Sequence, residues 1–257
     1  MISRKCNGVK YFQFNSLSVP GITQAIFSRH GGLSQAPWSS LNLGGTVGDD
    51  PANVKGNLDI LLKTVGYKSD KLVQVKQVHS ADVIVANNPM DALNQGDAII
   101  TNTPGLLLLM RFADCVPILF VDPVNNAVGI AHAGWQGTIK EVAFHTVRAM
   151  EAQFRTNPSE IFVGIGPSIG PDHYVVGEDV IVKVQAVFPE HTDTILITDR
   201  NSVKLDLWKA NAISLQKAGV TNIEISGICT GCAIDDWYSH RGEKGKTGRF
   251  AGVIGLN

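Results

Sequence analysis

The chain has 257 residues, 44% of them hydrophobic and 18% charged, with a formal net charge of -1. That length buries a sizeable core and nothing in it forces a division, so one domain over residues 1–257 is expected. Near-zero charge gives no electrostatic grip on nucleic acid or an anionic membrane, which leaves small molecules in a pocket as the expected partners.

The opening segment, MISRKCNGVKYFQF, lacks the apolar stretch that a secretory signal needs, and later apolar runs are interrupted by Arg111 and Pro117. A soluble, cytoplasmic protein is expected, as a monomer or homodimer. Its four cysteines, Cys6, Cys115, Cys229 and Cys232, then read as thiols or metal ligands and not as a disulfide framework. VKYFQF and ITQAIFSR read as strands around a turn at Pro20 and Gly21. From His30 to Asp50 the chain is dense in Gly, Ser, Asn and Pro, which predicts a long loop, either functional or a plain surface excursion. Asp49 or Asp50 then caps a helix with Pro51 in its first turn, Val54, Leu58, Leu61, Leu62 and Val65 along one face, and Gly66 at its end.

Short strands are expected near residues 71–79, 82–87, 97–101, 106–113, 117–121 and 127–132. Their connections, SADV, NQGD, NTPG and DPVNN, read as hairpins. The fold class is therefore α/β with a mixed or antiparallel sheet, not a parallel doubly wound one. GTIKEVAFHTVRAMEAQF has helical spacing, and its N-terminal dipole would point toward the residues around His132, a favourable place for an anion such as phosphate. IFVGIGPSIG and NIEISGIC read as strands, with EDVIVKVQAVF and LDLWKANAISLQKAG as helices.

Three expected strand ends carry side chains that bind metals. KLVQVKQVH ends on His79, RFADC on Cys115, and GIAHAG follows its apolar run with His132. Three ligands of this kind with an open fourth position form the pattern of a catalytic zinc site, which acidifies bound water to a pKa of about 7. Each residue also has a plainer role, because a cysteine at a strand end is often a small buried hydrophobe and a histidine a hydrogen-bonded structural residue. The same three residues permit a Cys115 nucleophile with His132 or His79 as base. With Met110 nearby they also match a blue-copper set, although the trinuclear centre of a true laccase needs more histidines than the 7 present. A non-enzymatic metal-binding module is the remaining alternative.

Asp114 points away from Cys115 on a regular strand, where it would bond turn amides; proton transfer at the metal would require a bulge. Arg29 opens the glycine-bearing loop, while Arg241, Lys244, Lys246 and Arg249 surround three glycines in SHRGEKGKTGR. These are donors for phosphate or ribose, or else solvated surface charges. Cys229 and Cys232 form a CxxC without the second cysteine pair of a four-thiolate zinc site, and read as structural or as lining the site.

QVHS around His79, RFADCVPIL around Cys115, AHAGWQGT around His132 and SHRGEKGKTGR occur in order, preceded by SRHGGLSQAPWSSLNLGGTVGDDPANV. From about Phe27 to Leu256 the chain thus resembles the polyphenol-oxidase, or laccase-domain, family, whose members are read as zinc-dependent purine nucleoside phosphorylases. The resemblance implies a layered α/β/β/α domain of two related halves, similar to a cysteine-hydrolase-like fold. It implies Zn2+ on His79, Cys115 and His132, with copper as an alternative, and catalysis by these three residues with Asp114 as a further candidate. It implies phosphorolysis of adenosine, inosine and S-methyl-5'-thioadenosine with phosphate, and deamination of adenosine. It also raises Arg241 and Arg249 above their neighbours as substrate contacts, beside Arg29.

Overall fold

The computed structural model describes residues 1–89, 94–199 and 202–257. Its first half contains β1 (Ile2–Cys6), β2 (Val9–Gln13), β3 (Ile22–Phe27), α1 (Pro51–Val65), β4 (Leu72–Val73), β5 (Val83–Val85), β6 (Ala98–Thr101), β7 (Leu107–Phe112), β8 (Val116–Asp122) and β9 (Ala127–Ala133). Then follow α2 (Trp135–Ile139), α3 (Val142–Phe154), β10 (Phe162–Ile165), β11 (Val175–Val176), α4 (Glu178–Val187), α5 (Thr192–Ile195), β12 (Leu196–Asp199), β13 (Ser202–Leu205), α6 (Leu207–Lys217), β14 (Asn222–Ile225) and β15 (Phe250–Leu256).

Among the described residues one six-stranded sheet runs β1-β2-β3-β15-β7-β4, a second runs β14-β10-β8-β9-β6-β5, and β11-β13-β12 form a small antiparallel sheet. Each large sheet mixes parallel and antiparallel pairs. Alternation along the strands decides the layering, because successive side chains enter different cores. Val116, Ile118 and Phe120 of β8 pack with Val142 and Val147 of α3 and Leu215 of α6. Leu119 and Val121, on the other face of β8, meet Leu108, Met110, Phe250 and Ile254 of the first sheet. The outer face of that sheet, with Leu107, Leu109 and Val253, packs on Leu61 and Leu62 of α1. The layers are therefore α/β/β/α, as the resemblance implies. β8 and β9, covered on both faces, are buried throughout and read as apolar runs but for Asp122 and His132. Truncating one of their residues, for instance Leu119→Ala, would cost about 2–5 kcal/mol.

α1 forms where expected. The Asp50 carboxylate accepts from the Ala52 amide, Pro51 supplies the first residue, and Gly66 at φ 78° returns its N–H to Leu62 and Lys63 carbonyls.

Three local expectations are corrected. The strand near 71–79 shrinks to Leu72–Val73, because the chain then leaves the first sheet and Lys76 bridges Gln95 beside the second. Gln77 compensates with its side chain: its amide donates to the Arg111 carbonyl at 2.8 Å and accepts the Arg111 N–H at 2.9 Å, reproducing a ladder pair. Of the four expected hairpins only DPVNN forms one, between β8 and β9. β5 and β6 pair in parallel, and β6 and β7 belong to different sheets. The single helix expected from Gly137 is two helices: α2 starts earlier, at Trp135, and Glu141 at φ 55° breaks the chain before α3. Tertiary contacts override the spacing there, since the Glu141 carboxylate holds Lys217 at 2.9 Å and Lys140 reaches the His79 carbonyl at 2.7 Å. The helix end nearest His132 thus belongs to the 5 residues of α2, too short for the expected anion site.

Candidate metal centre

β8 and β9 pair with Val116 opposite Ala133 and Pro117 opposite His132. Cys115, just ahead of β8, therefore arrives at the same end of the sheet as His132, near the end of β9. His79 comes from the loop between β4 and β5, not from a strand end, and adopts φ 58°. The structure brings the three together: their ligand atoms lie within 4.8 Å of one another, with Cys115 Sγ 4.0 Å from His79 Nε2. The two imidazoles meet edge to face at 5.0 Å and 70°. Gly134 closes the group from below, where a Cβ would stand 2.8 Å from Cys115 Sγ and 3.2 Å from the His79 ring.

A residue that the sequence reading missed organises this site. Asp97, fully buried, places one carboxylate oxygen 2.8 Å from His132 Nδ1 and accepts the Val78 amide at 3.1 Å and the Ser80 amide at 2.6 Å on the other. One side chain thus fixes the His132 ring and clamps both neighbours of His79. With Nδ1 committed to the carboxylate, Nε2 is left for a metal, the usual arrangement of a histidine ligand. The signal was an acid directly before the wholly buried strand AIIT, hidden by reading NQGD as a turn.

The charges are mutually dependent. Burial would raise the Cys115 thiol, but the His132 charge, then hydrogen bonds from His132 and His79, bring it down to about 6. Burial would lower His132, but the Cys115 thiolate, then Asp97, hold it up at about 9. Asp97 would be raised by burial, yet the hydrogen bond from His132 and the Ser80 amide take it to about 2. A thiolate and two oriented imidazoles around a gap that admits no Cβ fit an N/S-binding transition metal, with three protein ligands leaving a position open.

The remaining candidates divide. Asp114 sits at φ 82°, and its carboxylate is taken up by other partners: it accepts from Thr230 and Ser239 hydroxyls at 2.7 Å each and from the Arg241 amide at 2.6 Å. Arg29 is engaged elsewhere, with contacts to the Ser39 carbonyl at 2.9 Å, the Ile234 carbonyl at 2.7 Å and Glu243 at 3.0 Å, and its guanidinium lies over Tyr238. Arg241 lies over the ring of Tyr174, 5.2 Å from its centroid. Arg249 donates to the Gly248 carbonyl at 2.8 Å and is partly buried; burial lowers its pKa against the pull of the Cys115 and Asp114 charges. Tyr174, which no sequence signal marked, is pushed up to about 12 by burial and then by the Cys115 charge. Cys115, Tyr174, Arg241 and Arg249 therefore share one electrostatic neighbourhood.

Fold and donor set define a layered α/β/β/α domain with an open His2Cys centre. The chain belongs to the family described as multi-copper polyphenol oxidoreductase laccase, whose model matches residues 23–257. It is 37% identical to the purine nucleoside phosphorylase YlmD of Geobacillus stearothermophilus over 91% of this chain and 90% of that one. It is 36% identical to a purine nucleoside phosphorylase of Deinococcus radiodurans, covering 97% and 94%. The crystal structure of the Geobacillus YlmD superposes with a TM-score of 0.91 at 34% identity, covering 99% of this chain and 98% of that one. A Bacillus licheniformis protein, YfiH, gives 0.91 at 32% identity, covering 99% of each. Among the described residues two side-chain groups could hold a metal ion, His79-Cys115-His132 and Asp172-His173-Cys229-Cys232, and neither is a trinuclear histidine centre. Also among the described residues, no helix is long and apolar enough to cross a membrane.

Proposed function

We propose that this chain is a cytoplasmic, zinc-dependent purine nucleoside phosphorylase acting on adenosine, inosine and S-methyl-5'-thioadenosine, with adenosine deaminase activity. The observation that carries the reading is the convergence of His79, Cys115 and His132 under the Asp97 clamp, in a chain whose relatives are named purine nucleoside phosphorylases. When bound, zinc supplies concentrated positive charge that favours negative charge developing on the substrates.

The protein's own groups do the rest. Asp97 keeps the His132 ring from turning, so the ligand set is ready before substrate arrives. Arg249 and Arg241 supply fixed positive charge for phosphate. Tyr174, with its hydroxyl held protonated well above neutrality, is a donor to ribose or phosphate oxygen. In phosphorolysis a phosphate oxygen bonds to C1′ as the C1′–N9 bond breaks, and the proton passes from phosphate to the departing purine. In deamination, water replaces the amine at C6 and ammonia leaves.

A second reading rests on the same electrostatics, because a thiol near 6 beside an imidazole near 9 is also the pair of a cysteine nucleophile with its base. Incubation with adenosine, with and without phosphate, tests the first reading: adenine and ribose 1-phosphate form only with phosphate present, and inosine forms in either case. Absence of phosphate-dependent base release from all three nucleosides would overturn it.

A further inference from the structure

A second set of ligand side chains gathers where the loop after β10 meets the turn after β14. The two backbones are zipped together, with the Ser168 amide donating to Ile228 at 3.2 Å and the Thr230 amide to Ser168 at 2.9 Å. That pairing brings Asp172 and His173 against both cysteines of the CxxC. Cys229 Sγ lies 3.6 Å and Cys232 Sγ 3.4 Å from His173 Nδ1. Asp172 Oδ2 lies 3.1 Å from Cys232 Sγ and 3.2 Å from His173 Nδ1.

Those separations match four of the six edges of a tetrahedron. An ion bound at about 2.3 Å to sulfur and about 2.0 Å to nitrogen or oxygen keeps its ligands about 3.3–3.8 Å apart. The four separations meet that within a few tenths of an ångström, and all four atoms lie within 4.8 Å of one another. The Gly170 amide donates to Cys229 Sγ at 3.2 Å, the kind of contact that supports a thiolate ligand. Glycine leaves room on both sides, since a Cβ at Gly170 would stand 2.7 Å from Asp172 Oδ1 and one at Gly231 3.3 Å from the His173 ring. Two thiols and a carboxylate crowded on one imidazole repel one another once deprotonated, and a divalent ion relieves that. The carboxylate beside Cys232 also opposes the thiolate that a redox CxxC requires.

We propose that Asp172, His173, Cys229 and Cys232 form a second metal site, closed and tetrahedral, that takes a zinc-type divalent ion as a structural staple. Four protein ligands leave no position for substrate. The Asp172 and His173 side chains, 57% and 46% exposed, leave an opening for the ion from solvent. The staple acts on the first centre through Thr230, which lies between the two cysteines and donates to Asp114 at 2.7 Å; Asp114 is bonded in sequence to Cys115. Neither step relies on what the first centre catalyses.

The test is metal content of the whole purified chain after loading with Zn2+ and exchange into metal-free buffer. Two ions per chain are expected, falling to one in Cys232→Ser and one in Cys115→Ser. Co2+ substitution reads the ligands separately, because the thiolate charge-transfer band scales with the number of Co–S bonds: three in the wild type, two in Cys115→Ser. One ion per chain in the wild type, unchanged by Cys232→Ser, overturns the proposal. So does a Cys229–Cys232 disulfide whose reduction brings no second ion. Should Cys232→Ser fail to fold, Co2+ titration of Cys115→Ser decides alone, since no thiolate band there removes the second site whatever the first one does.

Discussion

Asp97 grips His132 twice, its carboxylate 2.8 Å from Nδ1 and its carbonyl accepting the His132 amide at 2.8 Å. Ring and backbone of one ligand are thereby set by a single residue that never touches the metal gap. Asp97→Asn preserves shape and removes the charge, so metal affinity at this centre should fall about 10–100-fold. Competition with a chelator measures it; unchanged affinity would reduce Asp97 to a packing residue.

Cys115→Ser should lose one metal equivalent and turnover together while unfolding in a single calorimetric transition. Cys115 lies just ahead of β8, only partly buried where it packs against the core, and serine nearly conserves its shape. Full activity with the metal content unchanged would remove Cys115 from the ligand set.

Metal-stripped protein should alkylate at Cys115 with a rate that climbs with pH through about 6 and then levels, because the thiolate is the reactive form. Bound metal engages the same sulfur, so iodoacetamide labelling should slow and recover on chelation. Fast labelling of metal-loaded protein would favour the cysteine nucleophile.

Arg29 and Arg249 should fail in different ways. Arg29→Ala removes the Arg29 bonds to Glu243 Oε1 and two carbonyls, a loss of about 1–3 kcal/mol in denaturant unfolding with kcat little changed. Arg249→Ala should raise KM for phosphate about tenfold, the effect of a charge-assisted contact of ~1.5 kcal/mol, with metal content intact. The opposite pattern would exchange their roles.

Asp236 gives the acid side of the stability curve. Burial would raise it, but Lys10 and His30 hold it below the usual carboxylate value. A depressed folded-state pKa contributes stability that is complete above the unfolded value, about 3.9, and is lost as pH falls through the folded one. Lys10→Met should flatten the pH dependence of stability in that acid range by lowering stability above it by the same amount, about 0–1 kcal/mol, the Lys10 and Asp236 side chains being 23% and 32% exposed. An unaltered acid limb would count against the pairing.

What was legible in the sequence followed from local chemistry. The caps of α1 are written in Asp50, Pro51 and Gly66, and the buried hairpin of β8 and β9 in two apolar runs around DPVNN. The three residues that the structure brings together, His79, Cys115 and His132, could be picked out as well. What was not legible depended on residues far away in the chain. The break at Glu141 answers to Lys217, and the clamp on His132 comes from Asp97. The second half of the CxxC site is an Asp-His pair more than fifty residues upstream. No period or turn rule sees such contacts.

The Gln77 amide, standing in for a stretch of backbone ladder beside Arg111, makes the attachment of the His79 loop removable. A ladder opens only with its sheet, whereas two side-chain bonds release when one rotamer changes. Hydrogen exchange at the Arg111 amide should therefore report the opening of this loop, at a free energy below that of global unfolding. Asp97 on the Val78 and Ser80 amides and Lys140 on the His79 carbonyl are side-chain holds as well, so beyond Lys76 the residue His79 is carried on a stretch tied down by side chains and not by a sheet ladder.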